Sequence, residues 1–441
     1  MMTTVATDEK VTSGLSRGSQ LHAFAARMFP ICRSITGDGV RETLSIVAEK
    51  IPVEIKEVPS GTQVFDWVVP KEWNIKAAYI KDLSGRKVID FADSNLHVLN
   101  YSTPINRQVP LAELQEHLHY LEDHPDWIPY KTSYYKEDWG FCVTYNQFKS
   151  LTDPVYEVCI ESTLTPGSLT YAEYFIPGET TDEVLISTHT CHPSLANDNL
   201  SGIAVVCDLA DTLRKRKNRY SYRFIFIPGT IGAITWLAMN ETHVKHIKFG
   251  LVASLLGDRG NFTYKRSRRA DTEIDRIAEY VLKQRNEGNR VIDFFPYGYD
   301  ERQFCSPGFN LAVGNLSRTP FGQYPEYHTS ADNLDLISEA SLEESFDVYL
   351  QILTILDQNT YYLNTNPKCE PQLGKRGLYS LRGGNNDTKA FQMALLWTLN
   401  LTSGENSILD IAHRSKMPFE VIREAALQLQ QVGLLKESDA Q

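Results

Sequence analysis

EVLISTHTCHPSLANDNLSG, Glu183 to Gly202, is the stretch that decides the fold. It opens on an apolar run, Val184 to Ile186, of the kind that forms a buried β-strand. It then places His189, His192 and Asp198 within ten residues. Asn199 and Ser201 read as the N-cap of the apolar-periodic helix that follows. A strand that delivers imidazoles and a carboxylate at its C-terminal end is where an open α/β sheet carries a metal or ligand site. A lone histidine on a strand is most often a satisfied structural residue. Two histidines and an aspartate at this spacing read instead as ligands for Zn²⁺ or a similar divalent ion.

The sequence on either side supplies the sheet. From Tyr156 onward, strand candidates YEVCIES, EVLIST, YRFIFIP, FGLVASLL and NLAVGNL alternate with helix candidates SGIAVVCDLADTLRKR and TEIDRIAEYVLKQ. Such alternation implies an α/β, doubly wound sheet. SLEESFDVYLQILTILDQ should form a long helix covering one face. Upstream, LHAFAARMF has helical spacing, and a second helix is expected after Gly37-Asp38-Gly39. Between these helices and Tyr156 the pattern is mostly β: VEIKEV, VFDWVV, AAYIKD, KVIDF and HVLNYST are short runs split by turn residues. One helix, LAELQEHLHYLEDH, and an aromatic segment, IPYKTSYYKEDWGFCVTY, complete it. Tyr134, Tyr135 and Trp139 are the candidates from this segment to line a site. NPKCEPQLGKRGLYSLRGG, residues 366–384, reads as a linker, and three further helices close the chain as a winged helix. The expected domains are therefore 20–52 with 156–365 (α/β), 53–155 (inserted, mostly β) and 385–441 (winged helix).

The 441 residues suggest about two to four domains. A net charge of -11 argues against a nucleic-acid partner. The winged helix agrees: residues 386–441 hold five Lys/Arg against seven Asp/Glu, so packing or dimerisation in a homo-oligomer is expected rather than DNA binding. No apolar run reaches the ~18 residues of a membrane span. MMTTVATDEKVTSG lacks the basic and apolar regions of a secretory signal and reads as a short disordered tail. The seven cysteines are dispersed without a CxxC, which fits free thiols in the cytoplasm.

A second group of candidates lies in DERQFCSPGFNLAVGNL and YPEYHTSADNLDLI. His328 follows a strand candidate, and Asp332 is four residues later, placed to orient it. Asp300, Glu301, Arg302, Glu326 and Tyr327 fall in these same late motifs.

The ordered series is a strand histidine, N-D-N-x-S-G, a P-x-T-I-G turn, D-x-x-x-F…G-x-x-x-A, and Y-H-T-S-x-D. It resembles the co-catalytic zinc aminopeptidases, whose mixed α/β sheet carries its site at the strand ends. From 20 to 437 the chain is similar to a bacterial family that joins an aminopeptidase-like domain, an inserted small β domain and a C-terminal winged helix. The resemblance implies that Asp198 is the metal-bridging aspartate and His328 the late histidine ligand. The first histidine is either His189 or His192, with His192 preferred.

The departures are equally informative. The peptidases follow the strand matching YRFIFIP with two glutamates, the general base and a metal ligand; the nearer family keeps the first as P-E-T-I-G. Here the turn reads Pro228-Gly229-Thr230. A further carboxylate ligand is expected near the end of FGLVASLLGD, where only Asp258 stands. With these ligands missing, one divalent ion is expected rather than two. A positioned base contributes roughly 10²–10⁴-fold, and Gly229 cannot supply it. Glu326, Asp300 and Glu301 are the substitute bases, and Arg302 and Tyr327 the substrate-side residues, Arg302 through a bidentate carboxylate contact. The expected function is metal-dependent hydrolysis of an amide or peptide bond in a small substrate. The alternative is a catalytically silent relative that binds a peptide or small metabolite, or serves as an assembly or regulatory subunit.

Overall fold

The structure is a computed structural model that describes residues 14–378 and 386–438. The chain divides into two compact units, Met1–Leu350 and Gln351–Gln441. The expected N-terminal tail lies almost wholly outside the described residues, as do Tyr379–Gly384 of the expected linker.

The first unit is built on an eight-stranded mixed sheet. Numbered in chain order, its strands are β1 (Glu54–Pro59), β2 (Ser168–Ile176), β3 (Glu183–His189), β4 (Ser221–Ile227), β5 (Ile247–Ala253), β6 (Thr263–Lys265), β7 (Arg290–Ile292) and β8 (Val313–Ser317). They lie in the order β1-β2-β4-β3-β5-β8-β6-β7. The central four, β4-β3-β5-β8, are parallel; β1, β2 and β6 run antiparallel to their inner neighbours. Every residue of β3 is buried, as a parallel strand covered on both faces requires. His189 ends β3 opposite Ile227, the last residue of β4, so the two turns that follow open side by side.

Helices flank this sheet. Arg17–Met28 starts on Ser16, whose hydroxyl accepts from the Ser19 N–H. Asp38–Lys50 follows the expected turn. Gly202–Leu213 is buried along nearly its whole length, and Glu273–Arg285 begins in a capping box of Thr272 and Asp275. In the long helix Glu339–Gln358, Tyr349 donates to the Leu316 carbonyl on β8 at 2.7 Å.

A smaller antiparallel sheet takes the order Lys87–Asp90, Glu72–Lys81, Val155–Thr165, Ile105–Pro110. Two strands change places relative to the sequence reading. VEIKEV, expected in the β insert, pairs with β2 as an edge of the large sheet. YEVCIES, expected in the α/β part, is the centre of the small sheet, bonded on both sides. Alternation alone cannot say which sheet an amphipathic strand joins. The helix expected over LAELQEHLHYLEDH stops at Glu116. Beyond it the chain extends, because Leu118–His119 pairs with Phe141–Cys142 and His117 bonds the Trp139 carbonyl at 2.8 Å.

The second unit is a winged helix. Tyr361–Asn364 is the middle strand between Ser403–Ser407 and Leu435–Ser438. It lies upstream of the expected boundary at 385 because its partners are non-local. Helices Asn386–Leu401, Ile408–Ser415 and Phe419–Gln431 are the three expected. Ile411, Ile422, Ala425 and Leu429 are buried among them. All seven cysteines are free thiols. Among the described residues, no helix is long and apolar enough to cross a membrane.

Candidate metal and hydrolytic site

The turn Ala196–Ser201 after β3 is held by side chains rather than by helix caps. Asn199 does not cap the following helix, as its position suggested. Its amide donates to the Thr188 hydroxyl at 2.8 Å, and its oxygen accepts from Leu255 N–H at 3.2 Å. Ser201 likewise donates to the Asn197 carbonyl and accepts from Leu256 N–H. The Asn197 side chain accepts from the N–H groups of Gly257 and Asp258. The N-D-N-x-S series therefore staples the end of β3 to the segment after β5. Gly202 completes it, because a Cβ there would lie 2.4 Å from Asn199 Oδ1. The result aims Asp198 into the space beyond the strand ends.

Three imidazoles converge on that carboxylate. His189 Nε2 donates to Asp198 Oδ1 at 2.8 Å. His192 Nδ1 lies 3.5 Å from the same oxygen, and His328 Nε2 lies 3.1 Å from Oδ2. Despite these distances, His192 Nδ1, His328 Nε2 and Asp198 Oδ2 are buried without a hydrogen-bond partner. One ligand atom each from His189, His192 and Asp198 lies within 4.8 Å of the others. This donor set fits a small divalent cation. Burial penalises the Asp198 charge, but the surrounding imidazoles still hold it well below the usual carboxylate range. Burial pulls His189 and His328 below the usual imidazole value. His192 runs the other way: burial opposes its charge, but Cys191 and Asp198 still raise it well above the usual imidazole value. A metal requires neutral imidazole and ionised carboxylate, so binding here would displace the His192 proton. Both sequence candidates for the first histidine, His189 and His192, thus come to the same point.

His328 adopts φ of 56°, a left-handed conformation uncommon outside glycine and asparagine. It is held there by Tyr130, whose N–H donates to the His328 carbonyl at 2.7 Å. Asp332 does not orient His328. Its carboxylate accepts from the backbone N–H groups of Asn197 and Asp198, at 2.6 and 3.0 Å. It therefore supports the Asp198 turn, and burial beside Asp198 pushes its carboxyl up to about 8. Asp258 is also diverted: Asn197, Gly260 and Thr319 all donate to it. The residue that directly follows β5 is Ser254, so that strand end offers no carboxylate.

The turn after β4 is bare. A Cβ built on Gly229 would lie 3.3 Å from His189 Cβ, and 3.6 and 3.7 Å from the two carboxylate oxygens of Asp300. Asp300 thus reaches the space that a side chain at 229 would enter. It is buried, and neither oxygen has a hydrogen-bond partner. Burial and the neighbouring Glu301 push its carboxyl up to about 8.

The other candidates separate by environment. Glu301 is buried and paired with Lys265 at 2.5 Å, which removes it as a free base. Lys265 also donates to the carbonyls of Phe295 and Tyr297, fixing the loop that carries Asp300. Glu326 is half-buried, and its side chain has no partner among the described residues. Tyr327 stacks on His328 with ring centroids 3.9 Å apart. Arg302 lies over the Tyr297 ring.

Two aromatic neighbours escaped the sequence reading. Tyr299 stacks on His189 and donates to Asp198 Oδ1 at 3.3 Å. Tyr130 meets His192 and His328 edge-on, at 5.2 and 5.0 Å. Their signals were adjacency to Asp300 and membership of IPYKTSYY. Of the lining candidates in that segment, Tyr134 bonds the Tyr130 hydroxyl at 2.9 Å. Tyr135 packs on Trp67, and Trp139 on His117.

Comparisons with known proteins bear on the fold and the family. A protein from Clostridium acetobutylicum is 53% identical over 419 residues, spanning 95% of this chain and 96% of its own. Its name provisionally describes a polysaccharide biosynthesis protein with aminopeptidase-like domain. A crystal structure from the same organism, provisionally described as a peptidase, has 52% identity and a TM-score of 0.91, with 96% of each chain covered. A zinc aminopeptidase from Bacillus subtilis shares the fold at 11% identity and a TM-score of 0.56, over 77% of this chain and 94% of that one. A Shewanella amazonensis protein described as a peptidase M28 precursor does so at 14% identity and a TM-score of 0.54, over 77% and 96%. The fold is thus an aminopeptidase-like mixed α/β unit, and residues 360–437 match a winged helix-turn-helix model. Because residues 22–359 match the model of DUF4910, a domain of unknown function, the chain belongs to that family.

Proposed function

We propose that this protein is a metal-dependent hydrolase of an amide or peptide bond, with Asp300 serving as the base that Gly229 cannot provide. His189, His192, Asp198 and His328 would hold one divalent ion, zinc by the nature of the donors. When bound, such an ion polarises a carbonyl and lowers the pKa of water. The remaining work belongs to the chain. Asp198 keeps its negative charge against burial, and Asp332 fixes its backbone. Tyr299 and Tyr327 wall the imidazoles with rings. Asp300 would act in its ionised form, favoured above about pH 8 in the metal-free protein, taking a proton from water on the Gly229 side and returning it to the leaving amine. His328, 33% exposed beside the sealed His189 and Asp198, marks the side from which substrate enters.

The observation that carries this reading is the unpartnered, buried Asp300 carboxylate beside the missing Gly229 side chain. A panel of dipeptides and aminoacyl p-nitroanilides, with zinc-loaded wild type and Asp300→Asn at equal metal content, tests it. Hydrolysis by the wild type that falls roughly 10²–10⁴-fold in the variant supports it. Equal rates in the two, or no hydrolysis by the wild type, defeats it. The second reading, a silent protein that binds a peptide or small metabolite or acts as a regulatory subunit, draws on Gly229 and Thr230. No hydrolysis together with tight metal binding would favour it.

A further inference from the structure

Arg302 is a cation at the edge of this site that, among the described residues, makes no salt bridge, and it acts on Asp300 through charge alone. It lies in the short helix Glu301–Phe304. Its Nε is buried and has no hydrogen-bond partner. Neither neighbouring acid hydrogen-bonds to it. Glu301 pairs with Lys265 at 2.5 Å. Neither oxygen of Asp300, two residues earlier, accepts a hydrogen bond from it. The guanidinium instead sits 5.5 Å from the centre of the Tyr297 ring, and Tyr297 is 64% exposed. Buried polar groups are nearly always satisfied. A guanidinium with an unmet buried donor and a planar fork is preorganised for a carboxylate from outside the chain. A row of rings links this point to the imidazoles. Tyr297 meets Phe321 at 5.6 Å, Phe321 meets Tyr327 at 6.3 Å, and Tyr327 stacks on His328 at 3.9 Å.

We propose that Arg302 binds a ligand carboxylate, so that the site takes small amides or peptides bearing a free carboxylate, their apolar part lying along Tyr297, Phe321 and Tyr327. The identity of the scissile amide rests on the hydrolase reading above; the carboxylate contact is a binding property that needs no turnover.

The test uses the full-length protein after chelator treatment, so that no metal competes for the carboxylate. N-acetyl-L-phenylalanine and N-acetyl-L-phenylalaninamide are titrated by calorimetry into wild type, Arg302→Gln and Arg302→Lys. The wild type should bind the acid about tenfold or more tightly than the amide, the scale of one charge-assisted contact. Arg302→Gln should lose that preference, and Arg302→Lys should keep part of it, as a point charge without the fork. Thermal melts of both variants show whether the fold survives. Equal binding of acid and amide by the wild type, binding of neither, or a preference that survives in folded Arg302→Gln would overturn the assignment. An acid preference without hydrolysis would sustain it while removing the hydrolase reading. Hydrolysis without the preference would do the reverse.

Discussion

The turns after β3 and β4 start from neighbouring parallel strands whose last residues are in register, yet they are built by opposite means. The β3 turn carries its own chemistry: His189, His192 and Asp198 fall within one short stretch, and Asn197, Asn199 and Ser201 lock it to the segment after β5. The β4 turn carries none, since Gly229 has no side chain, and its place is reached by Asp300 from a distant loop. A ligand set needs several groups fixed relative to one another, so it is encoded locally and buttressed. A proton carrier is one group, and any loop that reaches the same space can supply it.

The widest separation between the two turns should come from Asp198→Ala. It removes the carboxylate on which three imidazoles converge and leaves His189 Nε2 without its acceptor. Stabilisation by metal should vanish, a loss of about 2.7 kcal/mol at a ligand concentration ~100 times Kd. Thermal melts with and without added Zn²⁺ read this directly; a variant whose melting temperature still rises with zinc would break the assignment of the β3 turn.

Next comes transplantation of the base. Gly229→Glu alone would crowd the new side chain against the Asp300 carboxylate, whose oxygens lie 3.6 and 3.7 Å from the new Cβ. The pair Gly229→Glu with Asp300→Ala frees that space. If the two turns are interchangeable sources of one base, the double variant should recover roughly 10-fold or more of the rate lost in Asp300→Ala, part of the 10²–10⁴ a base contributes. Steady-state kinetics at equal zinc content would show it. A double variant as slow as the single would mean that the space beside Gly229 is not where the proton moves.

How much of this was legible in the sequence follows the same division. EVLISTHTCHPSLANDNLSG announces its strand, the cluster of His189, His192 and Asp198 and its place at a strand end, because all of that is local. YHTSAD supplied His328 because a histidine after a strand is conspicuous. Asp300 could be named only as one of three acids. What sets it apart is the lack of a hydrogen-bond partner: Glu301, equally buried, has Lys265, while neither Asp300 oxygen is bonded. Asp332 bonds the Asp198 turn and not His328, which its sequence position does not reveal, since four positions along a loop say nothing about direction. The strand exchange between the two sheets was illegible for a related reason. VEIKEV and YEVCIES are equally good strands, and only non-local pairing tells which sheet each completes.

A smaller effect should appear in the pH dependence of stability. The Asp300 carboxyl is pushed from 3.8 to about 8 by burial. The folded metal-free protein therefore holds this proton more tightly than the unfolded chain does. Its stability contribution is full below about pH 4 and is lost as pH rises toward 8. Asp332, also raised to about 8, adds in the same direction. Melting temperatures between pH 4 and 8 should fall more steeply in the wild type than in Asp300→Asn; parallel curves would mean that Asp300 is solvated, with the space beside Gly229 open to water.

The smallest change should come from Tyr299→Phe, which deletes a 3.3 Å hydrogen bond to Asp198 and keeps the ring on His189. A loss of about 1 kcal/mol or less in zinc affinity is expected by calorimetry. A tenfold or larger loss would make Tyr299 part of the ligand set.

The most direct test of the whole account is a crystal structure of the zinc-soaked protein with anomalous data at the zinc edge. The account predicts one peak per chain, bounded by His189, His192, Asp198 and His328, with Asp300 beside Gly229 and not bound to the ion. A second peak, a peak ligated by Asp300, or no peak at this position would contradict it.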